Sequence, residues 1–331
     1  MADVETAPAA PPLAAMAGDP ALAGRLRARL RLPVIGAPLF IISNPALALA
    51  CCRAGIVGSF PSLNARPIEQ LDEWLAQMNE GMGEGVAPYA VNLIVHKSNA
   101  RVEADLALCV KHRVPIIITS LGAREDVNQA VHAYGGIVFH DVINQKFARK
   151  AVEKGADGLI AVAWGAGGHA GTLSPFAFVQ ELRRWFAGPI ALSGSIATGG
   201  AVLAAQAMGA DFAYVGSAFI ATEEARASAE YKQGVVEGTA EDIVYTNLFT
   251  GVHGNYLASS IRAAGMDPAR LPEADPSKMN FGSGGNQAAK AWKDIWGCGQ
   301  GIGVIDAVEP AAAVVERLAR EYAAARARLA P

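Results

Sequence analysis

One histidine in this sequence stands in a setting that suits proton transfer to or from a bound molecule. An apolar run from Gly158 to Ala163 is followed by a cluster of glycines that contains His169. Imidazole has an ordinary pKa of about 6.5 and can exchange a proton at neutral pH. Glycines let a ligand approach the backbone closely. We therefore predict that His169 acts on a bound small molecule, although a histidine in an isolated turn would only hydrogen-bond to backbone groups.

Two further glycine-containing segments indicate a phosphate site. Gly194 and Gly216 each end an apolar run and are each followed by a serine. Their backbone N–H groups can reach phosphate oxygens because no side chain intervenes, and a helix N-terminus behind them favours an anion. Either glycine alone could simply form a tight turn. The occurrence of two such segments favours a phosphate-bearing cofactor, which composition alone does not identify.

Eight short apolar runs must position these residues. Each run is followed by a Gly, Pro or Ser break and then by a helical stretch, and none shows polar alternation, so we expect strands buried on both faces. The runs are Pro33 to Ala37, Gly55 to Phe60, Tyr89 to Val95, Val114 to Ser120, Gly136 to Asp141, Gly158 to Ala163, Ile190 to Gly194 and Phe212 to Gly216. This pattern predicts an α/β fold of the (β/α)8 TIM barrel type, with a doubly wound sheet and helical cap as the alternative.

The chain is longer than a barrel requires, so we expect additional segments. An Ala- and Pro-rich start predicts a disordered tail, and the stretch after strand 8, which includes Gly282 to Gly285, predicts a mainly helical insertion. The last outer helix is expected within Glu309 to Leu329. The predicted division is a tail at residues 1–20, a barrel at residues 21–221 and 298–331, and a substrate lid subdomain at residues 222–297.

Composition restricts the classes of partner. The chain has 28 basic and 31 acidic residues and a net charge of −3, without long blocks of one sign, which argues against nucleic acid and membrane surfaces. The four cysteines form no CxxC pair, so neither a disulfide framework nor a metal site is expected. A signal peptide and an apolar run of ~18 residues are both lacking. We expect a cytoplasmic protein with a small-molecule partner.

Five motifs in this sequence resemble those of the nitronate monooxygenase family, the FMN-dependent TIM barrels formerly called 2-nitropropane dioxygenases. The motifs are Gly36 to Leu39, Val91 to Leu93, Ala166 to Gly171, Ser193 to Ile196 and Gly216 to Phe219. The resemblance extends from about Pro33 to Asp306. Its motifs are specific to the superfamily and less specific to one reaction, because flavin-dependent enoyl-ACP reductases and some NADH:quinone reductases resemble the same pattern.

The resemblance implies an FMN-dependent oxidoreductase that oxidises alkyl nitronates, or nitroalkanes, with O₂ to a carbonyl compound and nitrite. His169 would be the catalytic base, or the residue that orients the nitro oxygens. The implied FMN contacts are Ala37, Pro38 and Leu39 at the isoalloxazine, Asn92 and Gly167, and Gly194, Gly216 and Ser217 at the phosphate. The alternatives are an NAD(P)H-dependent quinone or enoyl-thioester reductase and a catalytically silent FMN-binding protein. A homodimer is compatible with the resemblance.

Three positions depart from the family pattern. Val162 and Gly165 stand where many relatives carry a glutamine and an acidic residue, and Asp141 stands where some carry a lysine. A carboxylate beside a flavin would disfavour its anionic reduced form. We therefore expect Asp141 to point away from the cofactor, and we expect the neighbouring His140 to face the core.

Overall fold

Eight parallel strands form the centre of the fold in the computed structural model, which describes residues 17–274 and 294–330. These barrel strands are β1 (Val34–Gly36), β2 (Gly58–Pro61), β3 (Tyr89–Ile94), β4 (Ile116–Ser120), β5 (Ile137–Val142), β6 (Gly158–Val162), β8 (Ile190–Ser193) and β9 (Phe212–Val215). A short strand between them, β7 (Gly168–His169), belongs to a second sheet. The barrel order is β1-β9-β8-β6-β5-β4-β3-β2, and a parallel bridge from Ile35 to Val57 closes it. Each apolar run covers one barrel strand to within one residue, so the predicted TIM barrel is confirmed.

Helices cover the outside of the barrel. They are α2 (Pro45–Ala54), α3 (Glu69–Gly81), α4 (Val102–Lys111), α5 (Glu125–His132), α6 (Gln145–Glu153), α7 (Pro175–Arg183), α8 (Gly199–Ala207) and the C-terminal α12 (Ala311–Leu329). Local sequence explains several boundaries. The Asn44 side chain accepts from the first backbone N–H groups of α2, with Pro45 following it, and Gly55 ends that helix with a left-handed φ of 94°.

The barrel interior is filled by apolar side chains, among them Ile118, Phe139 and Phe212. Helix α1 (Pro20–Arg27) adds Ala23 and Leu26 to the same cluster. Just before α1, the backbone of Ala17 pairs with the segment that leads into β8. Helix α1 therefore covers the amino end of the barrel and leaves the opposite end open. Residues 1–16, most of the segment expected to be a tail, lie outside the described residues.

The insertion after β9 contains strands as well as helices. Its described elements are α9 (Ser217–Ile220), α10 (Ala229–Glu237), β10 (Ile243–Thr246), β11 (Gly254–Leu257) and α11 (Ala258–Ala263). Strands β10, β11 and β7 form an antiparallel sheet, which adds to the mainly helical insertion that we expected. The β-branched and aromatic residues of β10 favour this strand. The stretch Gly282 to Gly285 lies outside the described residues.

Candidate active site

A cavity of about 1020 Å³ lies among the loops at the carboxyl ends of the barrel strands. All nine residues that sequence analysis placed in the site line it: Ala37, Pro38, Leu39, Asn92, Gly167, His169, Gly194, Gly216 and Ser217. This end of a TIM barrel carries the active site, and the volume is at the upper end of the ~300–1,000 Å³ typical of ligand sites. The fold therefore brings residues from five separate chain segments to one cavity large enough for a cofactor and a small substrate.

A row of polar side chains lies above the apolar barrel core. Asn92 on β3, Ser120 on β4 and Asp141 on β5 each follow an interior apolar residue by two positions, so they also face the interior. The Asn92 Nδ2 donates to the Ile118 carbonyl oxygen at 3.0 Å and to Ser120 Oγ at 2.7 Å. Ser120 Oγ in turn donates to Asp141 Oδ2 at 2.6 Å. The row is a directed hydrogen-bond chain that ends on the carboxyl group of Asp141.

Asp141 lines the cavity, which corrects the expectation that it points away from the site. The reason is strand alternation, because Phe139, two residues earlier, packs in the barrel interior. Asp141 Oδ1 is buried and has no hydrogen-bond partner among the described residues. Burial raises the pKa of Asp141 to about 6, although the hydrogen bond from Ser120 opposes this shift. The cavity wall therefore contains a carboxyl group that is much harder to ionise than usual.

His169 is held between the barrel and the insertion. It lies on β7 and pairs with Gly254 of β11, and its Nε2 is 2.9 Å from Thr250 Oγ1. Thr250 Oγ1 donates to the Val252 carbonyl oxygen at 3.0 Å, so it accepts from Nε2–H of the imidazole. Burial lowers the pKa of His169 to about 4. His169 is therefore a neutral imidazole at neutral pH, with its hydrogen on Nε2.

His140 is buried, as expected, and also lines the cavity. Its Nδ1 lies 2.5 Å from the Thr119 hydroxyl oxygen on β4. Burial lowers the pKa of His140 to about 4. The cavity thus contains a second neutral imidazole, on the strand that also carries Asp141.

Several glycines that line the cavity have no room for a side chain. Gly194 has a φ of +136°, and a Cβ there would lie 2.7 Å from the Trp164 carbonyl oxygen. At Gly167, a Cβ would lie 2.8 Å from the backbone nitrogen of Gly299. Gly165 has a φ of +82°, and its Cβ would lie 2.2 Å from Ser195 Oγ. An acidic residue at Gly165, the departure from the family pattern noted above, would therefore be strained by the positive φ and would require Ser195 Oγ to move.

Two sets of supporting contacts could not be found from sequence. Asn64 donates to the carbonyl oxygens of Leu39 and Ser43 and accepts from the Ile41 N–H, so it holds the loop after β1. On the other side of the site, the Gly299 N–H donates to Ser217 Oγ at 2.9 Å. No local motif marks these contacts, because the partners are separated by at least 21 residues in the chain.

The same limitation applies to Thr250 and to two cations, Arg66 and Lys150, which also line the cavity. Ser120, in contrast, is recognisable from its position at the end of a predicted strand. Within residues 17–274 and 294–330, no group of three or more His, Cys, Asp or Glu side chains is arranged to hold a metal ion. No helix in these ranges is both long and apolar enough to cross a membrane.

Comparisons with known proteins identify relatives of this chain. The family model described as nitronate monooxygenase matches residues 26–321. A nitronate monooxygenase from Paraburkholderia phytofirmans is 28% identical over 87% of this chain and 92% of its own length. The structure of a nitroalkane oxidase from Streptomyces ansochromogenes superposes with a TM-score of 0.79 at 24% identity, covering 92% of this chain and 100% of the other. FabK from Thermotoga maritima has a TM-score of 0.75 at 22% identity, with coverages of 92% and 97%.

Proposed function

We propose that this chain, which belongs to the nitronate monooxygenase family, uses FMN to oxidise alkyl nitronates with O₂ to a carbonyl compound and nitrite. Family membership makes it an oxidoreductase. The observation that carries the specific proposal is that one cavity collects His169 and all eight residues expected to contact FMN. The solved structures compared above share the fold, and the reaction is inferred from the family and from the cavity.

The residues of the cavity fit a flavin nucleotide. Gly194, Gly216 and Ser217 would hold the phosphate, since backbone N–H groups beside glycine can approach an anion closely. A Cβ at Gly216 would lie only 3.4 Å from Leu39 Cδ2, so the phosphate loops adjoin the loop expected to contact the isoalloxazine. Both Nδ2 hydrogens of Asn92 are used within the protein, which leaves its amide oxygen for a bound ligand. When bound, FMN supplies the redox chemistry, accepting electrons from the substrate and passing them to O₂.

His169 would orient the substrate in this reaction. A neutral imidazole with a pKa of about 4 is a weak base, so it suits a nitronate, which has already lost its α-proton, better than a neutral nitroalkane. Because its one hydrogen is on Nε2 and points to Thr250, the imidazole would stabilise a nitronate oxygen in this buried site only by turning that N–H from Thr250 to the substrate. With a nitroalkane as substrate, His169 would be the group that accepts the α-proton, and we expect that reaction to be slower.

The insertion would act as a substrate lid. Residues 222–297 supply Thr250, the hydrogen-bond partner of His169, and also Leu248, Phe249 and Val252 to the cavity lining. Strand β11 joins this segment to the barrel through β7. Movement of the insertion would therefore alter the position of the imidazole together with access to the cavity. We further propose that residues 21–221 and 298–331 form the FMN-binding barrel.

An absorption spectrum and an anaerobic titration test the proposal. The purified protein should show the spectrum of bound oxidised flavin, and addition of an alkyl nitronate without oxygen should bleach it. Admission of O₂ should restore the spectrum and release nitrite. Bleaching by NADH and not by the nitronate would contradict the proposal in favour of an NAD(P)H-dependent reductase. A protein that neither contains nor binds FMN would contradict the cofactor assignment itself.

A further inference from the structure

Asp141 is a titratable residue in the cavity wall to which the proposed reaction assigns no role. It lies at the end of β5 in the wall of the cavity, with one carboxyl oxygen accepting from Ser120 and the other buried without a partner among the described residues. A buried carboxylate normally accepts several hydrogen bonds or pairs with a cation. No ion pair to Asp141 occurs in the described ranges, so its surroundings favour the neutral acid.

The direction of the hydrogen-bond chain leads to the same conclusion. The Ile118 carbonyl oxygen can only accept, so the Asn92 atom facing it is the amide nitrogen, and Ser120 Oγ accepts from that nitrogen. The hydroxyl hydrogen of Ser120 then points to Asp141 Oδ2. One neutral hydroxyl donor is weak compensation for a full negative charge. The remaining oxygen, Oδ1, is therefore the atom that carries the proton in the neutral acid.

We propose that Asp141 determines the charge of the ligand that this cavity accepts: its neutral form admits an anionic group, and its ionised form repels that group. The ionised carboxylate would stand in the wall of a partly enclosed cavity, where like charges repel more strongly than in water. The ligand class is a small anion. This inference rests on the proposed function only in naming a nitronate as that anion.

Other titratable groups around the cavity could also respond to pH. They are His140 on the same strand, His169 on β7, Tyr214 on β9, Tyr231 on α10, Arg66 after β2 and Lys150 on α6. Burial holds the pKa values of His140 and His169 at about 4 and raises those of both tyrosines, so these four stay neutral at neutral pH. The charge of Asp141 also contributes to the raised pKa of Tyr214. Asp141, with a pKa of about 6, is the group whose ionisation falls between those of the histidines and the tyrosines.

Isothermal titration calorimetry of the purified protein with nitrate tests this inference. Nitrate is a planar anion that does not titrate between about pH 5 and pH 8, and nitromethane serves as the neutral probe. We expect the wild-type affinity for nitrate to fall by up to about tenfold per pH unit above the pKa of Asp141. The variant D141N should bind nitrate with no such slope, and nitromethane should bind both proteins equally well at every pH.

A matched control and a second readout complete the experiment. Asp306 is an exposed carboxyl group outside the cavity, so D306N should keep the wild-type slope. Infrared spectra should show a protonated carboxyl band near pH 5 that is absent in D141N. An equal slope in wild type and D141N, a flat wild-type profile, or no nitrate binding near pH 5 would overturn the inference. Calorimetry does not require a flavin, so a protein that neither contains nor binds FMN but shows the expected slope would contradict the proposed function and support the role of Asp141.

Discussion

At the scale of single residues, burial changes the chemistry available to His169, Asp141 and His140. The two imidazoles are neutral at neutral pH, and the carboxyl group retains its proton to a higher pH than an ordinary aspartate. All three shifts have the same main cause, the loss of water around the charged form. Near pH 5 the polar row therefore carries little charge of its own, whereas above about pH 6 it carries the negative charge of Asp141.

We predict that H169N lowers kcat/KM for a nitronate by about 10²- to 10⁴-fold while FMN remains bound. The side chain of asparagine cannot place a donor at the position of imidazole Nε2–H beside Thr250. Steady-state kinetics and the flavin spectrum of the same preparation measure both effects. H132N, a like change outside the cavity lining on α5, should leave kcat/KM unchanged. Wild-type kinetics in H169N would show that the imidazole is dispensable for turnover and would contradict this prediction.

Asp141 should also affect stability in a pH-dependent way. Its pKa is raised from 3.8 to about 6 on folding, so between these values the unfolded chain binds fewer protons than the folded protein. The free energy of unfolding therefore falls as pH rises through this window, by up to about 3 kcal/mol. Urea unfolding should show D141N to be more stable than wild type near pH 8, with the difference smaller near pH 4. The same difference at both pH values would mean that ionisation of Asp141 is not its cause.

At the scale of elements, the loops that follow the barrel strands depend on glycine for their shape. The loop after β8 turns at Gly194, whose φ of +136° is unfavourable for other residues and whose missing side chain leaves room for the Trp164 carbonyl. The loop after β1 is held instead by side-chain hydrogen bonds from Asn64. The backbone of the loop after β8 is thus positioned by a glycine conformation, and that of the loop after β1 by side-chain hydrogen bonds.

We predict that G194A destabilises the protein by about 1–3 kcal/mol and weakens FMN binding about tenfold or more. The added Cβ strains the backbone and displaces Trp164, because its distance to the carbonyl oxygen would be 2.7 Å. G200A is the matched control, since the nearest atom to its Cβ would be Thr198 Oγ1 at 3.9 Å. Thermal unfolding and fluorescence titration with FMN measure the two effects. Equal stability and equal FMN affinity of G194A and G200A would show that the loop after β8 does not require glycine at position 194.

At the scale of the whole molecule, the barrel and the insertion share the candidate active site. The insertion returns to the barrel through β7 and β11, and it contributes the hydroxyl group that fixes the imidazole of His169. The loop after β6 is also held by the insertion, because Asn255 Nδ2 donates to the carbonyl oxygen of Ala166, a cavity-lining residue, at 2.7 Å. The site is therefore complete only when the insertion is docked on the barrel.

The reactivity of the four cysteines depends on whether the chain is folded. Cys51, Cys52, Cys109 and Cys298 are all buried, and burial raises the pKa values of Cys52 and Cys298 to about 12. We predict that a thiol reagent such as Ellman's reagent labels none of them in the native protein and all four after unfolding in guanidinium chloride. The absorbance of the thiolate released by the reagent gives the number of labelled cysteines per chain. Rapid labelling of one thiol under native conditions would instead show local opening at that cysteine.

Much of the fold was determined by sequence alone. The eight apolar runs each cover a barrel strand to within one residue, because a parallel strand buried on both faces needs a continuous apolar segment, and this requirement is local. The predicted outer helices were likewise recognisable as the helical stretches that follow the apolar runs. Since the carboxyl ends of barrel strands meet at one face, the same counting of strands was enough to collect His169, the glycines and Asn92 at one site.

Tertiary structure decided the electrostatics of the site and its support. The inward direction of Asp141, the Asn92–Ser120–Asp141 chain and the antiparallel sheet of β10, β11 and β7 depend on strand register and on contacts between distant segments. The bonds of Asn64 to the loop after β1 and of Thr250 to His169 join residues separated by 21 to 81 positions. A pKa depends on burial and on neighbours in space, which sequence order does not specify. For this reason the histidine could be located from sequence, whereas its neutral state and its threonine partner required the folded chain.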